Sequence, residues 1–176
     1  MAKSRKADPM HKTLIIALAY ALTTLASANA ETLETPKDTP ILVISGNIQS
    51  TNVDGTAQFD RAMLEALGTV VVETSTPWYD GVSTFEGVSL DELMKSVGAQ
   101  GHTVTAVALN DYVTTIPIED FAKFGTILAL KREGEYMSVR DKGPLFIIYP
   151  FDDNPDLQNQ VYFGRSAWQL AKLVIE

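Results

Sequence analysis

The apolar and polar positions of this chain predict many short strands and few helices. Ile41-Leu42-Val43-Ile44-Ser45 reads as a buried strand ending at Gly46-Asn47, and Thr51 to Gly55 as a polar turn. Phe59, Met63, Leu64 and Leu67 share one helical face, with Gly68 just past its end. Thr69 to Glu73 predicts a second buried strand around Val70-Val71-Val72. His102 to Leu109 alternates and is rich in β-branched residues, which predicts a strand. Asn110-Asp111-Tyr112 turns it back along Val113 to Ile116, and Pro117 opens a short helical turn through Phe121. Thr126 to Lys131 and Tyr136 to Val139 read as a hairpin about Glu133-Gly134. A charged turn, Arg140 to Pro144, precedes the apolar strand Leu145 to Tyr149, which Pro150 breaks. Phe151 to Gln160 reads as a loop. Trp168 to Ile175 fits a strand or a helix equally. There is no internal repeat, and the sum is an α+β domain with a mixed or antiparallel sheet.

The most informative stretch is Glu73 to Val97. The hydroxyl-rich Thr74-Ser75-Thr76 and the aromatic Pro77-Trp78-Tyr79 read as a loop, followed by regular structure from Phe85. Ser89-Leu90-Asp91-Glu92 reads as a capping box. Leu90, Leu93, Met94 and Val97 then give one helical face, which Gly98 ends. A polar, aromatic loop between a strand and a well-capped helix is a place where function is often carried.

Residues 1–30 carry the pattern of an export signal. Lys3, Arg5, Lys6 and Lys12 precede the uncharged run Leu14 to Leu25, and Ala28-Asn29-Ala30 has the small-x-small form of a cleavage site. Cleavage after Ala30 is expected, with Met1 or Met10 as the start, residues 31–40 as a linker and residues 41–176 as one domain. The apolar run is shorter than the ~20 residues of a membrane span, so no insertion is expected after cleavage and the expected place is the periplasm. Cleavage would remove four basic residues and one acidic residue, leaving 10 Lys+Arg against 21 Asp+Glu, a net −11. That charge repels nucleic acid and anionic lipid. The chain has no cysteine, and only His102 would remain after cleavage. Thiolate catalysis and ordinary zinc sites are therefore excluded, and His102 reads as a solvated residue at a strand start.

Phe85-x-Gly87-Val88-x-Leu90-x-x-Leu93, Asn110-Asp111-Tyr112, Gly143-Pro144-Leu145 to Tyr149-Pro150 and a Trp near the C-terminus occur in that order. Together they resemble the sulfite-oxidase-type molybdopterin-binding domain, over Ile41 to Ile175. In that family a Gly-Val-x-Leu segment opens a helix after the metal-ligand loop, and a Gly-Pro-Leu strand ending in Pro comes late. The family's enzymes hold molybdenum through a cysteine in the loop, whose nearest equivalent here is about Ser75. A neutral serine does not replace a thiolate on a soft metal. The chain is more similar to a small cysteine-free branch of exported proteins with a T-x-T-P-W-type loop. That resemblance implies a non-catalytic pterin-binding protein acting on the periplasmic domain of a membrane-bound sensor that makes or degrades cyclic di-GMP.

Under that resemblance the residues acquire roles. Trp78 or Tyr112 would stack on the pterin ring. Asp111 first, or Asp152, would accept from its 2-amino and N3 groups. Thr74, Ser75 and Thr76 would meet the ring's polar edge or side chain. Arg140, Lys142 and Arg165 would donate to its carbonyl or meet a partner. Two other readings stand: a molybdopterin-dependent oxidoreductase domain without the cysteine ligand, and an interaction module with an empty pocket. Asp111 as a turn residue, Arg140 to Lys142 as a solvated turn and Trp168 as core are the plain structural alternatives.

Overall fold

A computed structural model describes residues 33–176 of the chain. The expected signal and its cleavage site lie outside the described residues. The elements in chain order are β1 (Leu42–Gly46), β2 (Ala57–Phe59), α1 (Arg61–Ala66), β3 (Val70–Thr76), β4 (Tyr79–Ser89), α2 (Leu90–Ser96), β5 (Thr103–Ala108), β6 (Val113–Pro117), α3 (Glu119–Phe124), β7 (Ile127–Arg132), β8 (Glu135–Tyr136), β9 (Phe146–Ile148), α4 (Gln160–Arg165) and β10 (Leu170–Ile175). One sheet has the order β2-β1-β10-β5-β6, and the other β3-β4-β7-β8 with β9 also on β7. The β1–β10 pair is parallel and the remaining pairs are antiparallel. This is the α+β architecture with mixed sheets and a few short helices that the pattern predicts.

In the second sheet, the first four residues of β7 and all of β9 are buried on both faces. Leu128 and Leu130 of β7 and Ile147 of β9 point into the main core, with Leu42 and Ile44 of β1 and Leu173 of β10. Ile127, Ala129, Phe146 and Ile148 point the other way, into a second cluster with Phe85 and Met137. Burial on both faces is why these strands read as continuous apolar runs rather than alternating ones. Trp78, Tyr79 and Trp168 pack on that second cluster and place an aromatic surface over it.

α2 forms as its sequence predicts. Ser89 Oγ accepts from the Glu92 amide at 3.3 Å, and Leu90, Leu93, Met94 and Val97 are buried. Only half of the capping box is made, because the Glu92 carboxylate turns to Lys95 at 2.8 Å. Other expectations need correcting. Phe59 ends strand β2, and Asp60, not the Phe59 face, starts α1. The hydroxyl-rich segment is no loop. Thr74 to Thr76 completes β3, and Tyr79 opens the long strand β4, so Pro77 and Trp78 form a hairpin turn. Val70 and Val71 are exposed, because β3 is an edge strand. Ser138 caps a short 3-10 turn, Val139–Asp141, and does not extend the hairpin. Residues 160–165 form α4, and the C-terminal segment is a strand, β10.

Residues 33–40 are irregular but anchored. Leu33 packs against the core, and Asp60 accepts from the amides of Lys37 at 2.8 Å and Asp38 at 3.1 Å. The buried Asp60 carboxylate also caps α1 through the Met63 amide at 2.9 Å. Hydrogen bonds from backbone amides, that of Met63 first, hold its pKa below the ordinary carboxylate value of 3.8. A depressed pKa adds stability above the unfolded-state value and loses it as pH falls through the folded one. The Asp60 contribution to stability, followed by acid titration monitored by circular dichroism, should therefore be lost as pH falls below 3.8. The Asp60→Asn variant should show a shallower loss of stability there than the wild type.

Candidate functional site

The β3–β4 turn, the β5–β6 turn and α4 meet around one cleft. Pro77, Trp78, Tyr112, Gln160, Phe163, Gly164, Ser166 and Trp168 line it, and its volume is about 270 Å³. Each wall is fixed by its own local chemistry. Trp78 sits at the tip of the hairpin, where Thr76 Oγ1 accepts from its amide at 3.4 Å. Its ring meets those of Phe146, Trp168, Phe163 and Phe151 edge-on, with centroids 5.2 to 6.3 Å away. Edge-on contacts of this kind satisfy the ring quadrupoles and stiffen the cluster.

Tyr112 follows the left-handed Asp111, whose φ is 63°, and Asn110 Oδ1 accepts from the Tyr112 amide at 3.1 Å. The Tyr112 hydroxyl donates to the Gly164 carbonyl of α4 at 2.7 Å and so closes one side of the cleft. Trp168 is tied to Phe146 by an isolated bridge at the start of the last strand. The Tyr112 and Trp168 rings are parallel within 4°, with centroids 6.4 Å apart. Carbon atoms in contact lie about 3.5–4.0 Å apart, so the two faces are not in full face-to-face contact.

A buried ionic network anchors the third wall. Asp120 of α3 accepts from Arg165 Nη1 at 2.7 Å and from the Tyr149 hydroxyl at 3.0 Å. The Asp120 side chain is 6% exposed. The Arg165 guanidinium also lies 5.2 Å from the centre of the Tyr162 ring. At the other end, Asn159 caps α4 through the Val161 amide at 2.8 Å. Burial, followed by the charge of Asp120, pushes the Tyr149 phenol above its ordinary pKa of 10.0 and keeps it a donor. A raised folded-state pKa holds its full stabilisation below the unfolded value and loses it as pH rises. Urea unfolding should thus show falling stability above pH 10.0. Tyr149→Phe should flatten that fall, at a cost of about 1.5–3 kcal/mol at neutral pH, the range for a hydrogen bond to a charged group.

Among the residues expected from sequence, Trp78 and Tyr112 line the cleft. Thr74, Ser75 and Asp152 are engaged with one another instead. Asp152 accepts from the Ser75 amide at 2.6 Å and from its hydroxyl, while Thr74 Oγ1 accepts from the Asp152 amide at 3.1 Å. Thr76 caps the turn. Asp111 and Arg140 are exposed on their turns. Arg165 acts behind the wall, on Asp120. Lys142 stands beside the aromatic surface, its ammonium 4.8 Å from the Tyr79 ring centre and 5.9 Å from that of Trp168. Asp141 accepts from the Tyr79 hydroxyl at 3.1 Å. Burial and this bond push the Tyr79 phenol up to about 12.

The sequence reading missed Pro77, Gln160, Phe163, Gly164 and Ser166, and leaned to Trp168 as core. The Gln160 amide has no hydrogen-bond partner among the described residues. Gln160 is exposed at the first turn of α4 and borders the cleft, and its side-chain amide carries two donor hydrogens and one acceptor oxygen.

The position resembling a metal-ligand cysteine does not fit a molybdenum centre. Ser75 offers an alcohol already bonded to a carboxylate, and the chain contains no thiolate. Among the described residues no group of three His, Cys, Asp or Glu could hold a metal ion. A second hollow, about 370 Å³, lies between Leu33–Asp38 and α1. Its buried carboxylate, Asp60, is already satisfied by backbone amides.

No protein-family model matches the chain, and no curated protein matches it. A solved structure does. The sulfane dehydrogenase SoxCD from Paracoccus pantotrophus superposes with a TM-score of 0.56 at 16% sequence identity. The match covers 76% of this chain and 37% of that one. This chain thus spans little more than a third of that protein, and the likeness is one of fold. What the two share is the α+β fold, with mixed sheets and a few short helices.

Proposed function

We propose that this protein binds a flat heteroaromatic ligand of the reduced-pterin class in the Trp78–Tyr112–Trp168 cleft and carries out no catalysis there. The observation that carries the reading is the pair of parallel rings, Tyr112 and Trp168, facing the same cleft. The rings stand too close together to admit a planar group between them, and a bicycle laid against the cleft-facing side of either ring gains dispersion and area burial there. The cleft is at the small end of ligand pockets, which run from about 300 Å³, and so suits a bicycle better than a large cofactor. The unpartnered Gln160 amide complements a lactam edge, which also carries a donor beside an acceptor. Asp152 is withdrawn from that role by Ser75.

The export pattern at residues 1–30 and the acidic surface support a periplasmic setting. The resemblance described above supplies the rest of the proposal. Ligand occupancy would be read by the periplasmic domain of a membrane-bound sensor of cyclic di-GMP metabolism. Mass spectrometry of small molecules released by heating periplasmic protein tests the ligand. A reduced pterin at near-equal molar amount is expected, and its consistent absence from folded protein contradicts the reading. N-terminal sequencing of the same protein should begin at Glu31. A start at Met1 or Met10 contradicts the export.

A further inference from the structure

We infer that the N-terminal half of β3 is a docking edge for an extended basic strand of another protein. β3 is the outer strand of its sheet, and its other side pairs only with β4. Backbone groups along an antiparallel strand point alternately to the partner and away. Thr84, opposite Glu73, sends its carbonyl and amide the other way, to Glu133. Ser75 sends its amide outward to Asp152. Both fix the parity: the amides and carbonyls of Val71 and Glu73 face the open edge, and they have no partner among the described residues.

The two halves of the edge are treated differently. At the C-terminal half, Asp152 covers the Ser75 amide, and a bulge shifts the register between Ser75 and Thr76. Both devices block strand addition. The N-terminal half has neither device, nor a Lys or Pro, although Val71 is 56% exposed and Val70 is 37% exposed. An open, apolar edge of this kind is the template used in β-strand addition.

Charge selects the occupant. Glu73 is exposed, makes no ion pair among the described residues, and shares a face with Val71. The whole chain carries −8, so a second copy would be repelled while a basic strand is attracted. An antiparallel partner would set Lys or Arg opposite Glu73 and β-branched residues opposite Val72 and Val71. Opposite charges and β-branched pairs on facing strands are both favourable.

The test is titration of isotope-labelled protein with the peptide acetyl-Thr-Lys-Val-Val-Thr-Lys-amide at low salt. Hydrogen exchange at the Val71 and Glu73 amides should slow by about tenfold or more. The Val72 and Thr74 amides, which already face β4, should change little. A peptide with glutamates for lysines should give no protection, and added salt should weaken the effect. Val71→Pro removes one outward donor at an edge position that tolerates proline. It should abolish protection at Glu73 while the far-ultraviolet spectrum is unchanged. No slowing at Val71 and Glu73 with millimolar peptide overturns the inference, as does equal slowing by the glutamate peptide. Sedimentation that finds a dimer of the protein alone, lost in Val71→Pro, also overturns it and gives the edge to a second copy. None of these readouts involves the cleft, so the pterin proposal stands or falls separately.

Discussion

Replacing Arg165 with methionine should destabilise the protein by about 3–5 kcal/mol, the usual cost of stranding one member of a buried ion pair. Asp120 would keep only the Tyr149 hydroxyl, in a site where its side chain is 6% exposed. Urea unfolding by circular dichroism measures this loss. The control is the double variant Arg165→Met with Asp120→Leu. It removes the stranded charge and should recover much of the loss, since a buried pair is often no better than packed apolar groups. A loss below about 1 kcal/mol would be the value of an exposed pair and would contradict the buried network. The same change should loosen α4, whose C-terminal end Arg165 holds to α3. Because Gln160, Phe163 and Gly164 of α4 line the cleft, ligand affinity should fall as well, although Arg165 does not line it.

The second large effect is on the ligand. Tyr112→Ala should cost roughly 1–3 kcal/mol of pterin binding, the range for a base stacked on an aromatic side chain. That is about a tenfold to hundredfold loss of affinity. Tyr112 is 44% exposed and sits on a turn, so the variant should remain folded. Trp78 is a poorer probe than its place in the turn suggests. Its ring touches four other rings. Trp78→Ala would open a cavity and cost about 3–5 kcal/mol of stability. Trp78→Phe keeps an aromatic in the cluster and is the variant to compare. Gln160→Ala should weaken a lactam-bearing ligand and leave stability within about 0.5 kcal/mol, as for an exposed site with no special contact.

The parts of this fold that were legible in the sequence are those whose structure rests on local signals. α2 has an N-cap, a four-residue apolar period and a glycine stop, and the structure has each of them. β7 and β9 are runs of apolar residues because both of their faces are buried, and a run survives either reading of its period. The β3–β4 hairpin was not legible. Ser, Pro and Gly are loop residues by propensity and masked the β-branched Thr74 and Thr76, while Thr74 and Ser75 are held in the strand by Asp152, which is far away in sequence. β-propensity yields to such contacts. Tyr112 and Trp78 were legible as aromatic rings in turns at strand ends. Phe163, Gly164 and Gln160 were not, because α4 has only six residues and no apolar period. It is held by the Asn159 cap and the Arg165–Asp120 pair. Asp152 was the acidic residue most misread: its neighbours Phe151 and Asp153 gave no sign that its carboxylate would be spent on Ser75.

The central claim is that the cleft lined by Trp78, Tyr112 and Trp168 takes a reduced pterin. Anaerobic calorimetric titration of ligand-free protein with a dihydropterin tests it most directly. The account predicts one site per chain, lost or weakened by about tenfold or more in folded Tyr112→Ala. Absence of heat and of binding in the folded wild type would contradict the function. Wild-type affinity retained in Tyr112→Ala would contradict the site.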